Sequence, residues 1–152
     1  MDPIIKQVGI KEDVVFGKEV MVIMPSNLYG CQLGDHVFVG PFCEIQKDVT
    51  IGAHTRVQSH SFICEGVDIG HHCFIGHGVM FINDAFRTGG PARGNKDLWE
   101  RTQIGNHVSI GSNATLMPVS ICDHVVIGAG AVVTKNITEP GTYAGNPAKK
   151  IR

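Results

Sequence analysis

"IGAHTRVQSHSFICEGVDIGHHCFIGHGVMF", residues 51–81, sets Ile51, Val57, Ile63, Ile69 and Ile75 six positions apart. A fixed period fixes an architecture before any single element is assigned. Followed outward, the row runs back through Ile45 and Val39 to Leu33, and it resumes at Ile104, Ile110, Leu116, Ile121, Ile127 and Val133. Glycine comes next in the chain at Gly34, Gly40, Gly52, Gly70, Gly76, Gly105, Gly111 and Gly128. The fifth position of the hexads is small or β-branched: Val37, Cys43, Val49, Thr55, Ser61, Val67, Cys73, Val79, Val108, Ala114, Val125 and Ala131. These residues predict a second inward row with room only for small groups.

The fourth position reads His36, Phe42, Asp48, His54, His60, Gly66, His72, Gly78, His107, Asn113, His124, Gly130 and Asn136. All but Phe42 belong to the residue types that tolerate a left-handed backbone. Corner geometry alone therefore accounts for six of the eight histidines, and only His71 and His77, at third positions, stand outside it. Two rungs are one residue short, Val22 to Gln32 and Leu116 to Ser120, each with a Met-Pro pair, and are read as local corner adjustments. Residues 82–103 are the one long interruption, a loop expected to be thrown out from a corner.

Composition narrows the function classes. A chain of 152 residues, 43% hydrophobic and 18% charged, fits one domain over 1–152 with a substantial core. A net charge of −1, with no basic run longer than Lys149-Lys150, argues against nucleic acid or an anionic membrane as partner. The opening lacks a signal-peptide pattern and no apolar stretch approaches a bilayer span, so a cytoplasmic location is expected. Five cysteines without CxxC spacing predict reduced, mostly buried thiols.

The period resembles the hexapeptide-repeat family, in which three hexads make an 18-residue triangular coil. The resemblance implies an all-β, left-handed parallel β-helix. About six coils at ~4.8 Å make a prism roughly 30 Å long. The closing segment "IGAGAVVTKNITEPGTYAGNPAKKIR" resembles that of acyltransferases using acetyl-CoA. This likeness implies a homotrimer with acetyl-CoA bound between subunits. Gly111, Ala129, Gly130 and Ala131 would line the pantetheine arm, and Lys135, Pro147, Lys149, Lys150 and Arg152 would lie near its far end. No metal is expected.

The central segment "VQSHSFICEGVDIGHHCFIGHGVMFIND" resembles N-acetyltransferases that act on the 3-amino group of dTDP- or UDP-linked deoxysugars, a step in surface-glycan or lipopolysaccharide precursor synthesis. In that group an Asn-Asp pair and a basic loop mark the substrate site. The likeness implicates His77, Asn83 and Asp84 in catalysis; His60, 17 residues before His77 and so on the same edge one coil earlier, is a second candidate imidazole or a turn residue. Gln58, Glu65, Arg87 and Trp99 would bind substrate, with Arg93 and Arg101 as further basic loop residues. The loop departs from the Asn-Asp-x-x-Pro-Arg pattern by placing Arg87 earlier and delaying its proline to Pro91. An imidazole suits acceptance of the amine proton, since an unperturbed pKa of about 6.5 leaves it mostly neutral near pH 7.

Two other classes compete. The γ-class carbonic anhydrases share the repeat, but their three zinc-ligand positions fall here on Cys64, His77 and Ile82, and isoleucine donates nothing to a metal. A non-catalytic hexapeptide-repeat subunit would keep the prism without needing the loop that carries Asn83 and Asp84.

Overall fold

The computed structural model describes all residues, 1–152. Short strands of two or three residues follow one another from Val15–Phe16 to Val132–Val133, and each pairs in parallel with the strand one coil later. They build three sheets, the faces of a left-handed triangular β-helix with six complete coils. Face 1 starts at Val15–Phe16, face 2 at Met21–Val22 and face 3 at Asn27–Leu28. A seventh rung, Gly141–Ala144, extends face 2, and Lys149–Lys150 closes it in antiparallel fashion.

The two inward rows lie where the period puts them. Every aliphatic residue from Leu33 to Val133 named above is at most 5% exposed, and Phe81 carries the row one step further at 1%. The fifth-position row is equally buried, Thr55 and Ser61 included. Those hydroxyls donate to the carbonyls of Gly70 and Gly76 and accept from the amides of Cys73 and Val79, so neither is left unpaired. The five cysteines are free thiols, and burial pushes Cys31 up to about 11 and Cys64 up to about 12.

The three edges differ. Between faces 1 and 2 the rings of His36, His54, His72, His107 and His124 form one column, with successive centroids 4.7 to 5.1 Å apart. All five are left-handed, as expected, with φ from 55° to 60°. Phe42 is left-handed too, at 61°, against the preference of its side chain, whereas Asn136 is not.

The chain length irregularities all fall on the edge between faces 3 and 1. Buried residues facing each other across that edge are six apart at Ile45 and Ile51 but five apart at Leu28 and Leu33, and again at Leu116 and Ile121. The expectation for the first short rung needs correction: Met24-Pro25 lies in the full-length step from Val22 to Leu28, and the missing residue falls after Leu28. The long loop leaves from the same edge, between Met80–Phe81 and Thr102–Ile104.

Glycine after the aliphatic residue reflects coil contact. A Cβ on Gly52 would lie 2.5 Å from the carbonyl carbon of Gly70 in the next coil. Gly52→Ala is expected to cost about 1–3 kcal/mol, the usual range for overpacking. Gly90→Ala, whose Cβ meets nothing within 4 Å, leaves the thermal midpoint unchanged. Circular-dichroism melting of the two variants checks this.

Candidate active site

The edge between faces 2 and 3 gathers most of the expected chemistry. From the second coil onward its third positions are Pro41, Ser59, His77, Ser112 and Ala129, one per coil, and its fourth positions are Phe42, His60, Gly78, Asn113 and Gly130. His77 is exposed, and its Nδ1 lies 2.9 Å from Ser59 Oγ, one coil earlier. His60 sits beside it in the fourth position with φ 64°, and its ring leans on Phe42 at 4.9 Å. The turn thus accounts for His60, while no turn requirement accounts for His77. Gln58 is half-buried at the end of face 2 in the same coil.

The sequence passed over Ser59. Its signal is the 18-residue coil: position 59 is the register partner of position 77, whereas His60, 17 residues before His77, pairs with Gly78. The matching pair on the histidine edge, Ala53 and His71, behaves differently. There the Ala53 amide donates to His71 Nδ1 at 2.9 Å. Asp35, Asn106 and Asp123 accept amides of the preceding coil in the same way, and this hydrogen bond holds the Asp123 carboxyl below its ordinary range. His71 is a link in that ladder.

Along the edge from His77 toward the C-terminus the side chains shrink through Ser112 to the exposed Ala129 and Gly130. Nothing stands within 4 Å of where a Gly130 Cβ would be. Gly111 belongs to the same edge, and Gly145 and Ala148 fasten the closing segment with Pro147 across its end by backbone bonds to Val132. Ala131 is a correction: its methyl is fully buried in the core and offers no wall to a ligand. Lys135 lies beyond face 3, away from this edge, while Lys149 is exposed and Lys150 pairs with Glu139.

Asn83 and Asp84 sit at the opposite side of face 3, past Met80–Phe81, at the root of the loop. The face-3 strand Met80–Phe81 runs between His77 at one edge and Asn83 at the other, so within one chain the two groups are not brought together. Asp84 organises the loop: its carboxylate accepts the amides of Phe86 and Ala92, and its backbone bridges Trp99. Asn83 donates to the Glu65 carbonyl. A cavity of about 500 Å³ opens beside them, lined chiefly by Phe62, Phe81, Ile82, Phe86 and Met117.

The basic loop is largely neutralised. Arg87 makes a two-pronged pair with Glu100, Lys96 binds Glu65, and Arg101 binds Asp48 and Asp68. Arg93 alone among the loop cations lacks a carboxylate. Trp99 is half-buried and ends the short helix Lys96–Leu98, with the Lys96 ammonium 5.5 Å from its ring. The alternative zinc positions do not converge: Cys64 points into the core and His77 stands outside on another edge.

Comparison with known proteins follows the repeat. The family described as "Bacterial transferase hexapeptide (six repeats)" matches residues 30–65, and "Hexapeptide repeat of succinyl-transferase" matches 101–135. The chain is 34% identical over 142 residues to the bifunctional protein GlmU of Streptococcus uberis, covering 88% of this chain and 30% of that protein. It spans about a third of the length of such curated relatives. A variant of AntD, an N-acyltransferase from Bacillus cereus in complex with dTDP and coenzyme A, superposes with a TM-score of 0.81. Identity is 22%, covering 91% of this chain and 82% of that one. Perosamine N-acetyltransferase from Caulobacter crescentus, in complex with CoA and GDP-perosamine, gives 0.68 at 20% identity, covering 96% and 57%. No helix is long and apolar enough to cross a membrane.

Removing the Asp84 carboxylate should release the loop and spare the prism. Asp84→Ala is expected to raise hydrogen exchange across residues 86–98 with little change in melting of the coils. Exchange mass spectrometry checks this; unchanged protection would mean that other contacts hold the loop.

Proposed function

We propose that this hexapeptide-repeat protein is an acetyl-CoA-dependent N-acetyltransferase acting on the amino group of a nucleotide-linked amino sugar, as a cytoplasmic homotrimer in surface-glycan precursor synthesis. One observation carries the reading. The exposed His77 imidazole, outside any turn requirement, sits two coils from the open, small-residue stretch at Ala129 and Gly130. That edge gives a proton acceptor at one end and a track for a thin pantetheine arm at the other. The nucleotide and CoA complexes named for AntD and perosamine N-acetyltransferase support the substrate classes.

The chemistry is attack of a neutral amine on a thioester carbonyl. A C–N bond forms, His77 Nε2 takes a proton from the amine nitrogen, the C–S bond breaks, and the imidazolium returns the proton to the departing thiolate. Alignment of amine and thioester by the cleft contributes alongside. The separation of His77 from Asn83 and Asp84 within one chain supports a site between subunits, where the loop of one protomer meets the His77 edge of the next. Glu65, Arg87 and Trp99 then act through the loop, whose shape the Arg87–Glu100 and Lys96–Glu65 pairs hold, while Gln58 acts from the His77 edge.

A panel of dTDP-, UDP- and GDP-linked amino sugars with acetyl-CoA tests the reading through CoA release. His77→Asn is expected to lower turnover by ~10²-fold or more, and its pH–rate profile should lose an ionisation. His72→Asn, in the turn column, should keep both activity and melting temperature. Equal losses in the two variants remove His77 as the base, and no CoA release with any acceptor removes the enzyme. Ala129→Trp should abolish acetyl-CoA binding in calorimetry while the fold persists.

Shared sites make a further expectation. Co-expressed His77→Asn and Asp84→Ala chains, each strongly impaired alone, should assemble mixed trimers with about one quarter of sites intact. Restored turnover near that fraction supports sharing, and none excludes it.

A further inference from the structure

We propose that Ser59 is a positioning residue that sets the tautomer of His77 and leaves Nε2 free to accept a proton; this rests on the acetyltransfer reading above. Two third-position histidines occupy equivalent places on different edges and differ in the group that faces Nδ1. At His71 the partner is a backbone N–H, that of Ala53, which can only donate. Nδ1 must therefore accept, and neutral His71 carries its proton on Nε2, the nitrogen facing outward. Such an imidazole has no free lone pair at the surface.

At His77 the corresponding residue is Ser59, and its hydroxyl oxygen, 2.9 Å away, stands where the amide stands at the other edge. A hydroxyl accepts as readily as it donates. Nδ1–H can donate to Ser59 Oγ, which places the proton inward and the Nε2 lone pair outward, the form a general base needs. The same bond persists when Nε2 takes the proton, since Nδ1–H still donates to the same oxygen, so the ring need not turn during the transfer. Exchanging alanine for serine at one third position thus separates a ladder-bound imidazole from one equipped for proton transfer.

The test is Ser59→Ala, with Ser59→Thr as rescue. Nitrogen-15 correlation spectra of the histidine side chains, with His77 assigned by its loss in His77→Asn, read the tautomer directly in the unliganded protein. The expected result is Nδ1–H at His77 in the wild type and in Ser59→Thr, and a shift toward Nε2–H in Ser59→Ala. His71 stays Nε2–H in all three. With an acceptor sugar identified by the panel above, Ser59→Ala is expected to lower kcat about tenfold with less than a twofold change in KM, and Ser59→Thr to recover it. An unchanged tautomer in Ser59→Ala, or full turnover with the tautomer shifted, overturns the proposal. If the wild type transfers no acetyl group, the function reading fails, yet the spectra still decide whether Ser59 sets the His77 tautomer.

Discussion

Everything in this molecule depends on one spacing: each coil lies at hydrogen-bond distance from the next, on all three faces at once. Parallel strands only two or three residues long hold together because every inner rung pairs on both sides and because each hexad sends two side chains into the same narrow interior. The aliphatic row fills most of that interior and the fifth-position row fills the remainder. A larger group at Ala114 or Ala131 would have nowhere to go. Close stacking also dictates the glycines of the flat faces, where a methyl group would press on the neighbouring backbone.

Close stacking also turns side chains of one type into columns. The five stacked histidines follow from a turn that wants a left-handed residue at a fixed place in each coil. Their regularity is architectural, and it makes the exceptions informative. His77 interrupts no column of turns, and Gly78 beside it presents no side chain. In a repeat of this kind, a side chain that departs from the rule is one the turn does not explain.

The fold was legible in the sequence because the buried residues recur at a period that local sequence alone reveals. The edge bearing His77, Gly111, Ala129 and Gly130 was legible for the same reason, since residues 18 apart stack. The loop was not. Its hydrogen bonds join residues with no common period, such as Asp84 to Ala92 and Arg87 to Glu100, and only the folded loop brings them within reach. Residue type suggested a cationic substrate surface there, but the carboxylates that pair with Arg87 and Arg101 come from the loop's own far end and from two different coils. The burial of Ala131 was implicit in its fifth-position place, and its grouping with Ala129 and Gly130 as a ligand wall followed sequence adjacency across a corner where alternate residues face opposite ways.

The uneven edge between faces 3 and 1 has a consequence for how such a prism can change. A deletion of one residue after Leu28, another after Leu116 and an insertion of a full loop after Phe81 are all absorbed there, while the other two edges keep a strict count. The prism behaves like a ruler with one stretchable margin: chain can be added or removed along that margin without shifting the teeth on the remaining sides. New recognition loops can be grafted at the Lys47–Asp48 or Pro118–Val119 corners, one coil at a time, with the His77 edge left in register.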